Sequence, residues 1–229
     1  MLYWPRLVSR MGKVGGLRDV FILYRRQPVG IRFFVRMRSL LCPMERLETL
    51  VPQEGRILDL GCGHGLFTNL LALRGPDRQI LGCDPSAAKI GVAAAAGLSL
   101  SNVRYQVGYL ADVSATELDG ITILDVLYLL PPAEKRAVIR GCYERLKPGG
   151  VLMVKTNDRS PRWKFAVAYG EEVLMTKAGL TFGGNGLHFF SAAENRAYLE
   201  EAGFSVRVVD LNSWLPYPHV AFVCRKLER

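Results

Sequence analysis

The chain has 229 residues, 49% of them hydrophobic, enough for one core with elaborations. No apolar run approaches the roughly 18 residues of a membrane span, and the run Val20 to Leu23 is too short for a signal peptide. Five scattered cysteines, an odd number without a C-x-x-C pair, exclude a disulfide framework or a zinc ribbon and point to reduced thiols in a cytosolic protein.

The formal net charge is +9 and it is unevenly spread. Residues 1–50 carry ten Lys/Arg and three acids, +7 in all, which leaves +2 for the remainder. Such a leader attracts anionic partners. Residues 1–13 hold Trp4-Pro5 and three spaced basic residues and read as irregular. Gly15-Gly16 marks a break. Leu17 to Arg26 has a helical pattern that stops before Pro28, and Ile31 to Leu41 has a stronger one. On a helical wheel Phe33, Phe34, Met37, Leu40 and Leu41 share one side, with Arg32 and Arg36 opposite. Pro43 opens a third helix, Met44 to Val51, closed by Pro52. Three uses of this basic, aromatic leader stand open. It could meet an anionic membrane surface or cover a substrate. It could pack its phenylalanines on the core and leave its arginines solvated. It could bind nucleic acid, the least favoured of the three.

From residue 56 strands and helices alternate. Arg56 to Leu60 is a short apolar strand, fit for burial on both faces. It runs into Gly61-Cys62-Gly63-His64-Gly65 and a helix to about Arg74. Glycines there admit positive φ and the close approach of a ligand, and the helix start offers free N–H groups to it. Strand 2 is Gln79 to Cys83, followed by Asp84-Pro85-Ser86 and an alanine-rich helix to about Ala96. Strand 3 is Val103 to Val107, and strand 4 is Ile121 to Val126. A helix spans Pro132 to Leu146, and strand 5 is Val151 to Thr156 after the turn Lys147-Pro148-Gly149-Gly150. Residues 157–190 break the rhythm with many aromatics and Gly183-Gly184-Asn185-Gly186, and read as an insertion that covers a substrate. Ser191 with Glu194 makes a capping box for a helix to about Gly203. Phe204 to Leu211 and His219 to Arg225 are two late strands with no helix between them, hence a hairpin. The predicted fold class is therefore α/β. A Rossmann-like, seven-stranded mixed sheet carries helices on both faces, with N-terminal helices added. The expected division is a basic helical leader or cap, 1–50, and a main domain, 51–229.

The glycine turn has two readings. The dinucleotide fingerprint is G-x-G-x-x-G. Here the pattern is G-x-G-x-G, with Leu66 where the third dinucleotide glycine belongs and Asp59 two places ahead of Gly61. Together with Asp84 after strand 2 and the Lys147–Gly150 turn, the chain resembles the class I S-adenosylmethionine (SAM)-dependent methyltransferases from about residue 44 onward. The resemblance implies SAM as cofactor and a cofactor site made of Asp59, Gly61, Cys62, Gly63, Gly65, Asp84, Pro85, Tyr109, Leu110 and Asp125. Asp84 is implied on the ribose hydroxyls, as a carboxylate can accept both bonds of a vicinal diol; its plainer use is as a helix N-cap. Where relatives carry Gly-Asp after strand 3, this chain has Gly108-Tyr109-Leu110, so Asp112 or main-chain carbonyls take the adenine amine. Asp125 matches the position beside the methionine part of SAM.

Methyl transfer needs alignment and exclusion of water, and a hydroxyl or thiol acceptor also needs a base. The candidate bases are His188, Tyr128, Asp125 and His219. No cysteine–histidine or carboxylate cluster suggests a metal. Aromatics in the insertion and arginines in the leader favour a small-molecule or lipid-like acceptor, with the protein cytoplasmic and peripheral on the inner membrane face. The alternatives are a nucleic-acid methyltransferase and a non-catalytic SAM-binding protein. Against the first, the amino-methylating DNA and RNA methyltransferase families place Asp/Asn/Ser-Pro-Pro-aromatic directly after strand 4, whereas Leu130-Pro131-Pro132-Ala133 has neither the polar nor the aromatic residue and falls several residues late.

Overall fold

Seven strands form one sheet in the computed structural model, which describes residues 16–177 and 186–228 and, for residues 175–177, the backbone alone. The strands are β1 (Gly55–Leu60), β2 (Arg78–Asp84), β3 (Val103–Val107), β4 (Leu118–Leu124), β5 (Leu146–Asn157), β6 (Phe204–Asp210) and β7 (His219–Lys226). Their order is β3-β2-β1-β4-β5-β7-β6, with β7 antiparallel to both β5 and β6 and all other pairs parallel. The mixed sheet and its late hairpin are as the sequence predicts. The order reverses between β1 and β4, so a crevice opens outside the carboxyl ends of those strands.

The helices are α1 (Leu17–Leu23), α2 (Val29–Leu41), α3 (Met44–Glu48), α4 (Leu66–Arg74), α5 (Ala87–Gly97), α6 (Pro132–Arg145), α7 (Arg162–Lys177) and α8 (Ala192–Glu201). Alternate residues of each central strand enter opposite cores. Leu58, Ile121, Val154 and Phe222 pack with Ile139 and Cys142 of α6 and Leu199 of α8. Ile57, Ile80, Met153 and Ala221 pack with α4 and with Val20, Tyr24, Val35 and Leu47 of α1, α2 and α3. The N-terminal helices thus share the main core. The expectations for residues 1–13 and for Phe182 and Gly183-Gly184-Asn185 lie outside the described residues.

Three local readings change. β4 ends at Leu124, so Asp125 lies beyond the ladder, at φ 56°. β5 begins at Leu146 because that residue pairs with Leu118 across a ladder irregularity, which draws the Lys147–Gly150 turn into the strand. Residues 162–177 form α7, which periodicity does not reveal. The helix turns Ala168 and Glu172 inward and leaves Trp163, Val167 and Leu174 exposed, the reverse of an amphipathic pattern.

The roll of α2 also differs from the wheel. Val35 and Ser39 are buried, while Phe33 is 65% and Leu40 68% exposed, with Val29 and Met37 on the same outer stripe. Arg38 lies three places after Val35, on the inner face, and meets Asp125 there. One inward charge pair sets the orientation that hydrophobicity alone assigns differently.

Candidate functional site

The glycine turn, Asp84 and Asp125 lie at the ends of β1, β2 and β4, where the crevice opens. Gly61, Gly63 and Gly65 all have positive φ (75°, 54° and 78°), and Gly65 is the N-cap of α4 with no side chain capping it. The amides of Gly61 and Cys62 both donate to the Cys83 carbonyl, so the turn hangs from the end of β2. A side-chain relay holds its other side. Tyr105 donates to Asn69 at 2.7 Å, Asn69 donates to the Tyr24 hydroxyl at 3.1 Å, and Tyr24 donates to the His64 carbonyl at 2.7 Å. The His64 ring packs on Phe34, and burial lowers its pKa.

Asp59 lies beneath the turn and is 2% exposed. Its two oxygens accept from Thr68 at 2.6 Å and Thr122 at 2.7 Å, which ties β1 to α4 and β4. Its part is to brace the turn. Burial pushes its carboxyl up to about 6, against the pull of the two hydroxyls. An unfolded Asp titrates near ~3.9, so the folded state holds this proton more tightly. That stability is full below pH ~4 and is lost as pH rises through about 6. Asp59→Asn is expected to flatten the fall in stability between about pH 5 and 8 by about 1 kcal/mol in urea denaturation. An unchanged pH slope would contradict this account.

Asp84 is 7% exposed and accepts from the amides of Gly63 (3.0 Å) and Ser86 (2.9 Å). The N-cap of α5 is Ser86, which accepts from Lys89, so Asp84 is not needed there. A carboxylate has about four lone-pair sites, leaving two for a diol. Pro85 follows, half-buried. Burial pushes the Cys62 thiol well up, and its sulfur lies against Gly63. Past β3, Tyr109 is 59% exposed and Leu110 is buried in the core. Asp112 turns its carboxylate back onto the Tyr109 amide at 2.8 Å.

Across the crevice Asp125 accepts from Lys155 at 2.7 Å through both oxygens and pairs with Arg38 of α2. Burial alone would raise its carboxyl, but the two cations outweigh burial and hold it below the usual range. The cluster carries one net positive charge. Lys155 is 1% exposed, whereas the Arg38 side chain is 29% exposed. Tyr128 is buried and donates to Glu172 Oε1 at 2.5 Å, and burial raises its pKa well above the ordinary value. The His188 amide donates to the Tyr128 carbonyl at 2.6 Å. Phe189 stacks on the Tyr128 ring at 4.4 Å, and Phe165 and Tyr169 of α7 close round Phe189. Phe165 also lines a cleft with Arg159, Arg162, Ser191 and Glu194.

His219, weighed as a base, lies 3% exposed with Nδ1 on Asn157 (2.9 Å) and Nε2 on the Leu41 carbonyl (2.7 Å). Burial lowers its pKa to about 4. A neutral ring with both nitrogens engaged is a structural link.

The residues present fit SAM. An added Cβ at Gly63 meets nothing within 4 Å, so the turn is open to a ligand. Asp84 suits the ribose, Asp125 an ammonium and Arg38 a carboxylate. Arg38, Lys155 and Glu172 were not singled out by the sequence reading. Lys155 does carry a signal, as a charge at the end of Val151-Leu152-Met153-Val154; Arg38 and Glu172 carry none.

A sequence profile of the methyltransferase domain family matches residues 34–209. A ubiquinone biosynthesis O-methyltransferase of Marinobacter nauticus is 33% identical over 184 residues, 76% of this chain and 73% of that protein. One of Pseudomonas savastanoi pv. phaseolicola is 30% identical over 163 residues, 67% of this chain and 66% of that protein. The chain therefore spans just under two thirds of the length of the latter. Among solved structures, an O-methyltransferase family protein from Burkholderia thailandensis has a TM-score of 0.69 at 15% identity, covering 90% of this chain and 62% of that one. The [4+2]-cyclase SpnF has a TM-score of 0.64 at 18% identity, covering 82% and 80%. These likenesses are of fold, and the cyclase illustrates that fold does not fix the reaction.

Proposed function

The chain belongs to the SAM-dependent methyltransferase family, and we propose that it moves a methyl group to a hydroxyl oxygen of an aromatic small molecule with an apolar substituent. The observation that carries this is the cluster of aromatic rings, Tyr128, Phe165, Tyr169 and Phe189, beside the Asp125 cluster. Ring faces and edges of this kind attract an aryl ring. The names of the relatives, enzymes of ubiquinone biosynthesis, point the same way.

SAM when bound supplies a methyl group on a sulfonium, which leaves without acid assistance. The chain's own residues do the rest. Asp84 would accept from the ribose, Asp125 would hold the amino group and Arg38 the carboxylate, which would orient the methyl donor toward the acceptor. Insertion 157–190 contributes α7 and Phe189, which close over Tyr128 and keep water out.

We also propose that the protein works as a peripheral protein on an anionic bilayer. The outer stripe of α2 is apolar and lies beside the exposed Arg25, Arg26 and Arg36. Each basic residue near such a surface contributes about 1 kcal/mol. Labelled SAM should therefore methylate prenylated phenols or catechols presented in phosphatidylglycerol vesicles. The protein should sediment with those vesicles and not with phosphatidylcholine alone, and Phe33→Glu with Leu40→Glu should abolish sedimentation. Label appearing only in RNA would favour a nucleic-acid enzyme, and SAM binding without turnover on any acceptor a non-catalytic protein.

A further inference from the structure

We propose that Glu172 of α7 is the general base of the reaction, its Oε2 receiving the proton of the acceptor hydroxyl. The inference rests on the aryl-hydroxyl acceptor proposed above. Its two oxygens are used unequally. Oε1 accepts from Tyr128 at 2.5 Å, which fixes the rotamer. Oε2 is buried and has no hydrogen-bond partner among the described residues. A buried carboxylate oxygen left bare keeps its full desolvation cost, larger if charged, and such a group asks for a donor from elsewhere. The residue is 8% exposed.

Its surroundings suit the task. Phe189 stacks on the ring of Tyr128, whose hydroxyl touches Glu172, so the carboxylate lies at the edge of an aromatic cluster that an aryl acceptor would approach. The charged and titratable groups facing Glu172 are Arg38 from α2, Asp125 and Tyr128 from beyond β4, Glu171 on its own helix, and Tyr217 before β7. Burial raises its pKa, and Asp125 adds to this while Tyr128 and Arg38 oppose it. A carboxylate with a raised pKa is a stronger base for a phenol than a solvated one. Asp125 is the weaker base, because Lys155 and Arg38 hold its carboxyl below the usual range.

In the step, the acceptor O–H bond breaks and its proton passes to Oε2. The acceptor oxygen forms a bond to the methyl carbon as the methyl–sulfur bond breaks, and that electron pair stays on sulfur. The sulfonium charge is discharged, and Glu172 later releases the proton to solvent.

Glu172→Gln keeps the volume and the acceptor for Tyr128 but cannot take a proton. It is expected to lower kcat on ordinary phenols by 10²–10⁴-fold, with KM and the Kd for SAM within about twofold. The acid limb of the wild-type pH–rate profile should vanish. Pentafluorophenol, already ionised at neutral pH, should be methylated by Glu172→Gln at close to the wild-type rate. A calorimetric readout needs no turnover. Binding of pentafluorophenolate should take up about one proton in wild type and none in Glu172→Gln, measured in buffers of different ionisation heat. Equal loss on acidic and ordinary phenols, unchanged kcat, or equal proton uptake in both proteins would overturn the proposal. A wild type that binds and methylates no phenol would instead overturn the acceptor class, and Glu172 with it.

Discussion

Asp125→Asn is expected to lose about 3–5 kcal/mol of stability, a fall in Tm of roughly 10 °C for a chain of this size. The amide would leave Lys155, 1% exposed, and Arg38 facing each other without a countercharge. The cost is that of two like charges in a low-dielectric site. The double variant Asp125→Asn with Lys155→Met should regain at least half of the loss, because the stranded ammonium is gone. Urea denaturation of the wild type, both single variants and the double variant makes the cycle. If the double variant is no more stable than Asp125→Asn, the charge argument fails. The pH sign follows from the depressed carboxyl. Its contribution is present above the unfolded value near ~3.9 and is lost as pH falls through the lower folded value. Affinity for SAM should fall in both Asp125 variants, since the ammonium partner is absent in each.

Gly63→Ala and Gly61→Ala are expected to separate binding from folding. Both positions have positive φ, 54° and 75°, so each alanine carries strain of about 1 kcal/mol. At Gly63 that is all, because the new Cβ has nothing within 4 Å. The methyl group instead fills the space through which the turn is approached. SAM affinity should drop at least about tenfold with Tm lowered by only a few degrees. At Gly61 the Cβ would lie 2.3 Å from Val126 Cγ2. Overpacking adds about 1–3 kcal/mol, and the push falls on the residue next to Asp125. That variant should be the less stable of the two. Calorimetric titration with SAM, paired with thermal unfolding, decides; wild-type affinity in Gly63→Ala would remove the turn from the cofactor site.

The sheet and the glycine turn were readable because each rests on local chemistry. Buried parallel strands are continuous apolar runs, and the turn needs glycine at positive φ. Ser191 and Glu194 announce α8 by a capping box that the structure forms. What failed depends on long-range charge. Arg38 meets Asp125 across 87 residues of chain, and nothing near Arg38 distinguishes it from its solvated neighbours. Glu172 lies on a helix that buries Ala168 and Glu172 and exposes Trp163, Val167 and Leu174, so hydrophobic periodicity does not place it inside. Asp59 was legible as a member of the motif but not as a brace, because Thr68 and Thr122 come to it from other elements.

The two ties on α2 have a consequence for reach. Arg38 holds the helix to Asp125, and the carbonyl of Leu41 is held by His219 of β7. The outer stripe of Phe33 and Leu40 is therefore rigidly spaced from the crevice. On the bilayer proposed to meet that stripe, the protein would act as a depth gauge. Under the two proposals above, the hydroxyl that reached Glu172 would be one riding at a fixed height above the head groups. Acceptors would then be sorted by how far their ring stands from the membrane, before any contact inside the pocket is made.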